Sequence, residues 1–239
     1  MQPTRIAELL EPFLTGSAST RSEPGGSLVE EAAALSSAQL QDISTYIDML
    51  LRWNARMNLT AIRDPEEIVV RHFGESLFAA RHLFPRDTSR SNQSTVAKGR
   101  ARVADIGSGA GFPGIPIKLW APEIALTLVE SNQKKATFLR EVVRSLTLTD
   151  IDIQNVRAEK VAPRPGFDVV ILRAVERFAE ALPKAGSLVA ASGRIGLLIG
   201  SAQLAARNLV GELSWAEPVP VPMSRARVLV VGYRDQESK

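Results

Sequence analysis

The sequence contains no cysteine, and this absence excludes several kinds of chemistry at once. Disulfide bonds, thiolate metal sites and cysteine nucleophiles all need that side chain. Histidine is nearly as scarce, since only His72 and His82 occur among the 239 residues. A histidine-rich metal site is therefore not expected, and we predict that the protein holds no metal.

Long apolar runs are also missing. No segment approaches the roughly 20 apolar residues that a membrane-spanning helix needs. Residues 1–14, MQPTRIAELLEPFL, include an early arginine but no apolar stretch of the length typical of a signal peptide. We therefore expect a cytoplasmic protein with no membrane partner.

The remaining composition is that of a globular protein. Hydrophobic residues make up 45% of the chain and charged residues 23%. The net charge is +3 and the sequence pI is near 9.4, which is compatible with a nucleic-acid partner but does not identify one. The length suffices for one α/β domain with an appendage, or for two small domains.

Composition shifts along the chain predict a division into three segments. Residues 1–36 are predicted as a flexible N-terminal segment, because residues 15–27 are rich in Ser, Gly and Pro, although residues 1–14 can form a short helix. Residues 37–90 are predicted as an N-terminal helical extension. One helix there follows from apolar residues at helical spacing, and a second begins at Asp64-Pro65. Residues 91–239 are predicted as the main domain.

The rest of the chain is organised around a glycine-rich turn. A short apolar run, Arg102–Ile106, reads as a buried strand, and a helix is predicted from Ile115. Between them, Gly107, Gly109 and Gly111 let the backbone approach a ligand that any Cβ would exclude. The free amides at the helix start attract a polar or anionic group. This turn predicts a nucleotide-type ligand.

The residue before the turn distinguishes between nucleotide ligands. Asp105 makes the pattern D-x-G-x-G-x-G, which resembles the first motif of S-adenosylmethionine-dependent methyltransferases and differs from the G-x-G-x-x-G of dinucleotide folds. A carboxylate suits a ligand with an ammonium and a sulfonium, and it would repel a pyrophosphate. An NAD-dependent oxidoreductase is therefore the weaker alternative.

Strands and helices alternate after the glycine turn. Strands are predicted at 124–130, 152–156, 167–172, 194–199 and 225–233, with helices at 133–146, 175–188 (broken by Pro183) and 202–209. This alternation predicts an α/β fold with a mainly parallel sheet and helices on both faces. The resemblance of the glycine motif to methyltransferases implies in addition that the fold is that of a Rossmann-like class I methyltransferase. The N-terminal helical extension is added to it.

Polar residues follow several of these strands. Glu130 ends the second strand, where an acid can accept hydrogen bonds from ribose hydroxyls. Arg173 follows the apolar strand FDVVIL, where it could hold a carboxylate or phosphate bidentately. Each has a plainer interpretation, Glu130 as a solvated acid at a helix start and Arg173 as an arginine paired with a surface acid.

Four segments together resemble the bacterial 16S ribosomal RNA guanine-N7 methyltransferases, also called the glucose-inhibited division protein B family. They are WNARMNLTAIRDPEEIVVRHFGESL, ADIGSGAGFPGIPIKL, RAE and LRAV, and the likeness covers about Leu40 to Gly200. The resemblance implies S-adenosylmethionine as cofactor and 16S ribosomal RNA or the small ribosomal subunit as partner. The residues that it would place against the cofactor are Gly107, Phe112, Ala158, Glu159 and Arg173.

Two positions depart from the family pattern. Leu172 stands where the family usually carries serine, and Ile199 stands where it commonly carries lysine. The missing lysine removes a cation expected near a substrate phosphate or the methyl donor. A catalytically weakened protein that only binds S-adenosylmethionine therefore remains an alternative, as does a methyltransferase with another substrate.

No general base is expected, because guanine N7 already carries a lone pair, and we assign no catalytic residue. RNA contacts are predicted for arginines of the N-terminal helices, which could hold phosphates. The same region has a plainer role, since Asn54 and its neighbours could simply dock the helices. We expect a monomer, and the sequence does not specify the guanine. The predicted RNA-binding residues are Arg52, Arg56, Arg63 and Arg71.

Overall fold

A computed structural model describes residues 1–15, 34–86, 100–162, 165–175 and 177–235. Within these ranges the centre of the molecule is a sheet in the order β3-β2-β1-β4-β5-β8-β6, with β7 paired to β8. The strands are β1 (Arg102–Ile106), β2 (Ala125–Val129), β3 (Ile151–Gln154), β4 (Phe167–Arg173), β5 (Val189–Gly200), β6 (Leu213–Trp215), β7 (Val219–Pro220) and β8 (Arg227–Arg234).

The sheet is mainly parallel, as the sequence predicts. Strands β1 to β5 pair in parallel, and β8 pairs antiparallel with β5, β6 and β7. The chain moves outward from β1 to β2 and β3, then returns to place β4 on the other side of β1. Such a reversal opens a crevice at the carboxyl ends of β1 and β4, where ligands of α/β proteins bind.

The helices are placed before and between the strands. They are α1 (Pro3–Leu14), α2 (Ser37–Asn54), α3 (Pro65–Ile68), α4 (Glu75–Leu83), α5 (Gly114–Trp120), α6 (Gln133–Ser145) and α7 (Phe178–Ser187). A π-helical turn, Val69–Gly74, joins α3 to α4, and 3-10 turns lie at Ala158–Lys160 and Ser201–Leu209. No described helix is long and apolar enough to cross a membrane.

Local signals explain where two of the N-terminal helices begin. The Ser36 side chain accepts from the Gln39 amide at 3.2 Å, and the Gln39 side chain accepts from the Ser36 amide at 2.8 Å, so a capping box starts α2. Asp64 accepts from the Glu67 amide at 2.8 Å and starts α3, as predicted.

The short helix predicted within residues 1–14 is confirmed, so this part of the N-terminal segment is ordered, while the bounds of that segment stay a prediction. Residues 3–14 form α1, whose Ile6, Leu10 and Phe13 side chains are fully buried. Burying these three side chains stabilises the helix against its neighbours. Most of the Ser/Gly/Pro-rich stretch, residues 16–27, lies outside the described residues.

The prediction that Pro183 breaks the preceding helix is wrong. Helix α7 continues through this residue to Ser187. Its buried Phe178, Leu182 and Ala185 pack against the sheet, and this packing offsets the hydrogen bond that proline cannot donate.

The core has two layers, one on each face of the sheet. Alternate residues of β4 enter different layers, Val169 and Ile171 on one face and Val170 and Leu172 on the other. The first layer also contains buried residues of α1, α2, α4, α5 and α6, and the second contains those of α7. The helices before residue 90 therefore share a core with the sheet. The division into 37–90 and 91–239 stays a prediction.

Candidate functional site

A cavity of about 630 Å³ opens at the carboxyl ends of the parallel strands. Its volume is within the range of pockets for small organic ligands. The strand ends and the loop after α2 supply its walls, so segments distant in sequence meet there. Its lining includes Leu59, Thr60, His72, Gly107, Gly109, Phe112, Glu130, Ala158, Glu159 and Arg173.

The glycine turn forms the floor of this cavity. Gly107 and Gly109 have φ values of 74° and 58°, which glycine adopts without strain. The amides of Gly107 and Ser108 donate to Val129 O at 2.9 and 3.0 Å, which ties the turn to β2. A Cβ on Gly109 would meet only one atom within 4 Å, the carbonyl oxygen of Gly107 at 3.9 Å. The space beside Gly109 is thus open, as a ligand-binding turn requires.

Gly111 is surrounded differently from Gly109. It does not line the cavity, and its φ is 90°. A Cβ there would lie 2.7 Å from Ile115 Cδ1 and 3.1 Å from Leu139 Cδ2, and it would collide with the Tyr46 hydroxyl. Gly111 therefore permits close packing between the turn and the helices, and its contact with the cofactor stays a prediction.

Asp105 differs from its prediction, because it is buried beneath the turn and does not line the cavity. Its side chain is fully buried, and Oδ2 accepts from the Gly114 amide at 3.0 Å. Its main-chain oxygen accepts from Ser108 Oγ at 2.9 Å. Burial raises the pKa of this carboxyl group to about 7. Through these two hydrogen bonds Asp105 holds Ser108, near the start of the turn, and Gly114, at its end.

Glu130 lies at the end of β2 and lines the cavity, as predicted. Oε2 accepts from the Gly109 amide at 2.9 Å, and Oε1 accepts from the Asn132 amide at 2.7 Å. Each carboxylate oxygen can accept a further hydrogen bond. The Ala158–Lys160 turn brings Ala158 and Glu159 to the neighbouring wall.

Arg173 lines the cavity, but it is not free to hold a ligand bidentately. Its Nη2 donates to Glu75 Oε2 at 3.0 Å and to the carbonyl oxygen of Arg71 at 2.7 Å, and Nε lies 3.3 Å from Glu75 Oε2. Of the three guanidinium nitrogens of Arg173, Nη1 is the one that makes no hydrogen bond to any residue that the structure describes. The predicted clamp was wrong, and the interpretation of Arg173 as an ion-paired residue is correct, with the difference that the acid is buried.

Glu75 is a site residue that the sequence analysis missed. Its side chain is 2% exposed and also contacts Arg71 Nε at 3.2 Å and Arg227 Nε at 3.0 Å. An acid within the otherwise buried start of α4 was the available signal. Arg227 had no such signal, because the sheet order alone brings β8 next to β5.

His72 connects the N-terminal helices to the glycine turn. Its ring stacks on Phe112 with 4.8 Å between centroids, and Tyr46 stacks on Phe112 at 5.3 Å. Nε2 lies 2.8 Å from Thr60 Oγ1, and Nδ1 lies 3.2 Å from Arg173 Nη2. Since the arginine can only donate, Nδ1 accepts and the proton is on Nε2.

The surroundings of His72 keep its ring neutral. Burial, together with the nearby arginines, lowers its pKa from 6.5 to about 3. Between pH 6.5 and about pH 3 the His72 ring is protonated in the unfolded chain and neutral in the folded protein. His72 therefore makes the free energy of unfolding fall as the pH falls through this range.

Replacing His72 by glutamine should remove this contribution. The stability of the wild type relative to His72→Gln should fall by up to about 1.4 kcal/mol for each pH unit below the ordinary histidine value. Urea denaturation of both proteins between neutral pH and about pH 5 measures this difference, and other titrating groups cancel in the comparison. A difference that does not change with pH would show that His72 titrates normally.

Asn54 shapes the loop that reaches the cavity. Its Nδ2 donates to Thr60 O at 2.9 Å, and its Oδ1 accepts from the amides of Leu59 and Thr60 at 2.9 and 3.1 Å. These bonds place Leu59 and Thr60 in the cavity wall. Asn54 therefore closes the turn after α2, and a role in docking the helices stays a prediction.

Of the predicted RNA-binding arginines, Arg52 lies on α2, Arg56 and Arg63 lie in the loop between α2 and α3, and Arg71 lies in the π-helical turn. Arg52, Arg56 and Arg63 are exposed, and the side chain of Arg71 is 44% exposed. Their contact with RNA stays a prediction.

The two departures from the family pattern, Leu172 and Ile199, are both buried in the core layer that contains α7. The side chain of Ile199 therefore lies on the other face of the sheet from the helices that carry Glu75.

Known proteins resemble this chain in sequence and in fold. A family model described as rRNA small subunit methyltransferase G matches residues 39–209. Ribosomal RNA small subunit methyltransferase G of Chloroflexus aggregans is 40% identical over 209 residues, with 82% of each chain covered. The protein of that name from Roseiflexus castenholzii is 39% identical, covering 82% of this chain and 84% of its own.

Solved structures show the fold. Magnesium protoporphyrin IX methyltransferase from Synechocystis, solved with bound S-adenosylmethionine, has a TM-score of 0.58 at 14% identity, covering 81% of this chain and 97% of its own. The ribosomal protein L11 methylase of Lactobacillus delbrueckii has a TM-score of 0.53 at 13% identity, covering 69% and 79%. The predicted Rossmann-like methyltransferase fold is confirmed, and by the extent of its sequence match the chain belongs to the rRNA small subunit methyltransferase G family.

Proposed function

We propose that this protein methylates N7 of a guanine in the 16S RNA of the small ribosomal subunit, with S-adenosylmethionine as the methyl donor. The observation that supports this most is the open space at Gly109, in a cavity that Glu130 and Arg173 also line, in a chain of this family. The cofactor supplies an electrophilic methyl group on its sulfonium. The protein must bind it and align a base with it.

The residues around the cavity suit this cofactor. The turn at Gly107 and Gly109 leaves room for it, and the carboxylate of Glu130 has lone pairs for ribose hydroxyls. Arg173 retains Nη1 for a single charge-assisted bond to a carboxylate. We assign Phe112, Ala158 and Glu159 to the same site from their positions in the cavity wall.

The N-terminal helices would contribute the substrate side of the site. Leu59, Thr60 and His72 line the cavity together with the glycine turn. A neutral His72 with both nitrogens hydrogen-bonded is suited to positioning and not to proton transfer. This matches the chemistry, because the lone pair of guanine N7 needs no general base. Alignment and exclusion of water are the remaining contributions.

The test is mass mapping of modified guanines in small-subunit RNA from cells with and without the protein. One N7-methylguanine should be absent without the protein and should return when the wild-type chain is supplied. Purified protein should transfer a labelled methyl group to the same position. If every guanine modification persists without the protein, while the purified chain still binds S-adenosylmethionine, the proposal is wrong and a protein that has lost catalysis replaces it.

A further inference from the structure

Three arginines surround the buried carboxylate of Glu75. Arg173 Nη2 and Arg227 Nε each lie 3.0 Å from Oε2, and Arg71 Nε lies 3.2 Å from Oε1. These residues come from α4, β4, β8 and the π-helical turn, so the fold assembles the cluster from distant parts of the chain. We call these four residues the arginine cluster.

The cluster has more positive than negative charge. One carboxylate balances one guanidinium, and the nearby His72 is neutral because its pKa is lowered to about 3. Glu67 is the other acid paired with a member of the cluster in the described part of the chain, at 4.0 Å from Arg71 Nη1, and it is half exposed. At least one guanidinium therefore lacks a compensating charge.

Arg71 and Arg227 are the members of the arginine cluster that remain available to bind an anion. Arg173 is 9% exposed and meets Glu75 through two nitrogens, which suffices to pair the acid. Arg227 is 19% exposed, and its Nε makes no aligned hydrogen bond despite its proximity to Oε2. Its Nη2 donates to Leu198 O at 3.1 Å. Arg71 is 44% exposed.

The location of the pair indicates what it could bind. Arg227 begins β8 and pairs with Gly200 at the carboxyl end of β5, the sheet edge at which the cavity opens. Arg173 belongs to both the cluster and the cavity wall. An anion held by Arg71 and Arg227 would therefore lie beside a base in the cavity.

We infer that Arg71 and Arg227 form a phosphate site that holds the RNA backbone next to the target guanine. This inference rests on the proposed function and adds Arg227 to the predicted RNA contacts. A phosphodiester is the anion that accompanies a guanine in RNA, and guanidinium groups bind it through charge-assisted hydrogen bonds. Glu75 holds the arginines in place and keeps their charges from repelling one another.

The experiment measures equilibrium binding of small-subunit RNA by Arg71→Gln, Arg227→Gln and the double variant, with the demethylated product of the cofactor present so that no turnover occurs. Each single variant should weaken RNA binding about tenfold, the loss expected for one charge-assisted hydrogen bond. Between about 50 and about 200 mM salt, the slope of log affinity against log salt should decrease by about 1 for each arginine removed.

Arg144→Gln is the matched control. It removes the same charge from an exposed position at the C-terminal end of α6, a site outside the cavity lining, and should leave both RNA affinity and slope unchanged. Cofactor affinity, measured by calorimetry, should not change in either single variant. Arg227→Lys should retain the salt slope, because it keeps the charge.

An unchanged salt slope in the double variant would overturn the inference and leave the cluster a purely structural one. This outcome is distinct from failure of the proposed function. If the slope decreases in the variants as expected but the wild-type protein methylates no guanine, the proposed function is refuted and the phosphate site is retained. Wild-type protein that binds no RNA would refute the site as well.

Discussion

Replacing Glu75 by glutamine is expected to lower the free energy of unfolding by about 3–5 kcal/mol, the cost of removing one partner from a buried ion pair. The glutamine has nearly the same shape, so no cavity forms. What changes is that Arg71, Arg173 and Arg227 are left around a neutral amide, and their charges then repel one another. Urea denaturation measures the loss.

Glu66→Gln is the control for this substitution. Glu66 also pairs with an arginine, Arg5, at 2.8 Å, but both side chains are about half exposed. Water and salt screen such a pair, so the free energy of unfolding should hardly change. Equal losses in the two variants would show that burial does not strengthen the Glu75 pairs.

A double variant separates repulsion from lost packing. If the Glu75→Gln protein is destabilised by uncompensated charge, adding Arg227→Gln should restore part of its stability, although Arg227→Gln alone is not stabilising. If the loss comes from side-chain packing, the second substitution should leave the Glu75→Gln protein no more stable. A double variant less stable than either single one would contradict the electrostatic explanation.

The elements that the sequence predicts well are those determined by neighbouring residues. The strand Arg102–Ile106 is found with the bounds expected, and the helix after Asp64 begins at Pro65 because capping acts within one turn. Strands β6 and β7 were not predicted, since runs of three and two residues have no readable period.

The errors at the site have one physical origin, which is burial. A sequence shows that Asp105 and Arg173 follow apolar runs, but it does not show which side of the turn each side chain occupies. Asp105 bonds to Gly114 beneath the turn, and Arg173 bonds to Glu75, far from it in sequence. Local sequence patterns therefore predict where the cavity lies. They do not predict which of its polar groups remain available to a ligand, because that depends on contacts between residues far apart in sequence.

Gly109 and Gly111 give the second large effect, because the same substitution should damage different properties at positions two residues apart. Both glycines have positive φ, so backbone strain is common to the two alanine variants. They differ in what surrounds the added methyl group. At Gly109 it would enter open space in the cavity, and at Gly111 it would collide with Tyr46 and Ile115.

Gly109→Ala should therefore weaken S-adenosylmethionine binding by about one to two orders of magnitude, as expected when a group is forced into a filled site, and Gly109→Val should weaken it further. Both proteins should stay folded. Gly111→Ala should instead lower the free energy of unfolding by about 1–3 kcal/mol beyond the loss in Gly109→Ala.

Calorimetry for cofactor affinity and urea denaturation for stability, applied to both alanine variants, complete the comparison. The informative result is that Gly109→Ala loses cofactor affinity whereas Gly111→Ala loses stability. General damage to the turn would change both properties in both proteins. If Gly109→Val binds S-adenosylmethionine as tightly as the wild type, the space beside Gly109 is not where the cofactor lies. The methyl donor would then have to occupy another part of the cavity, and the roles assigned to Glu130 and Arg173 would fall with it.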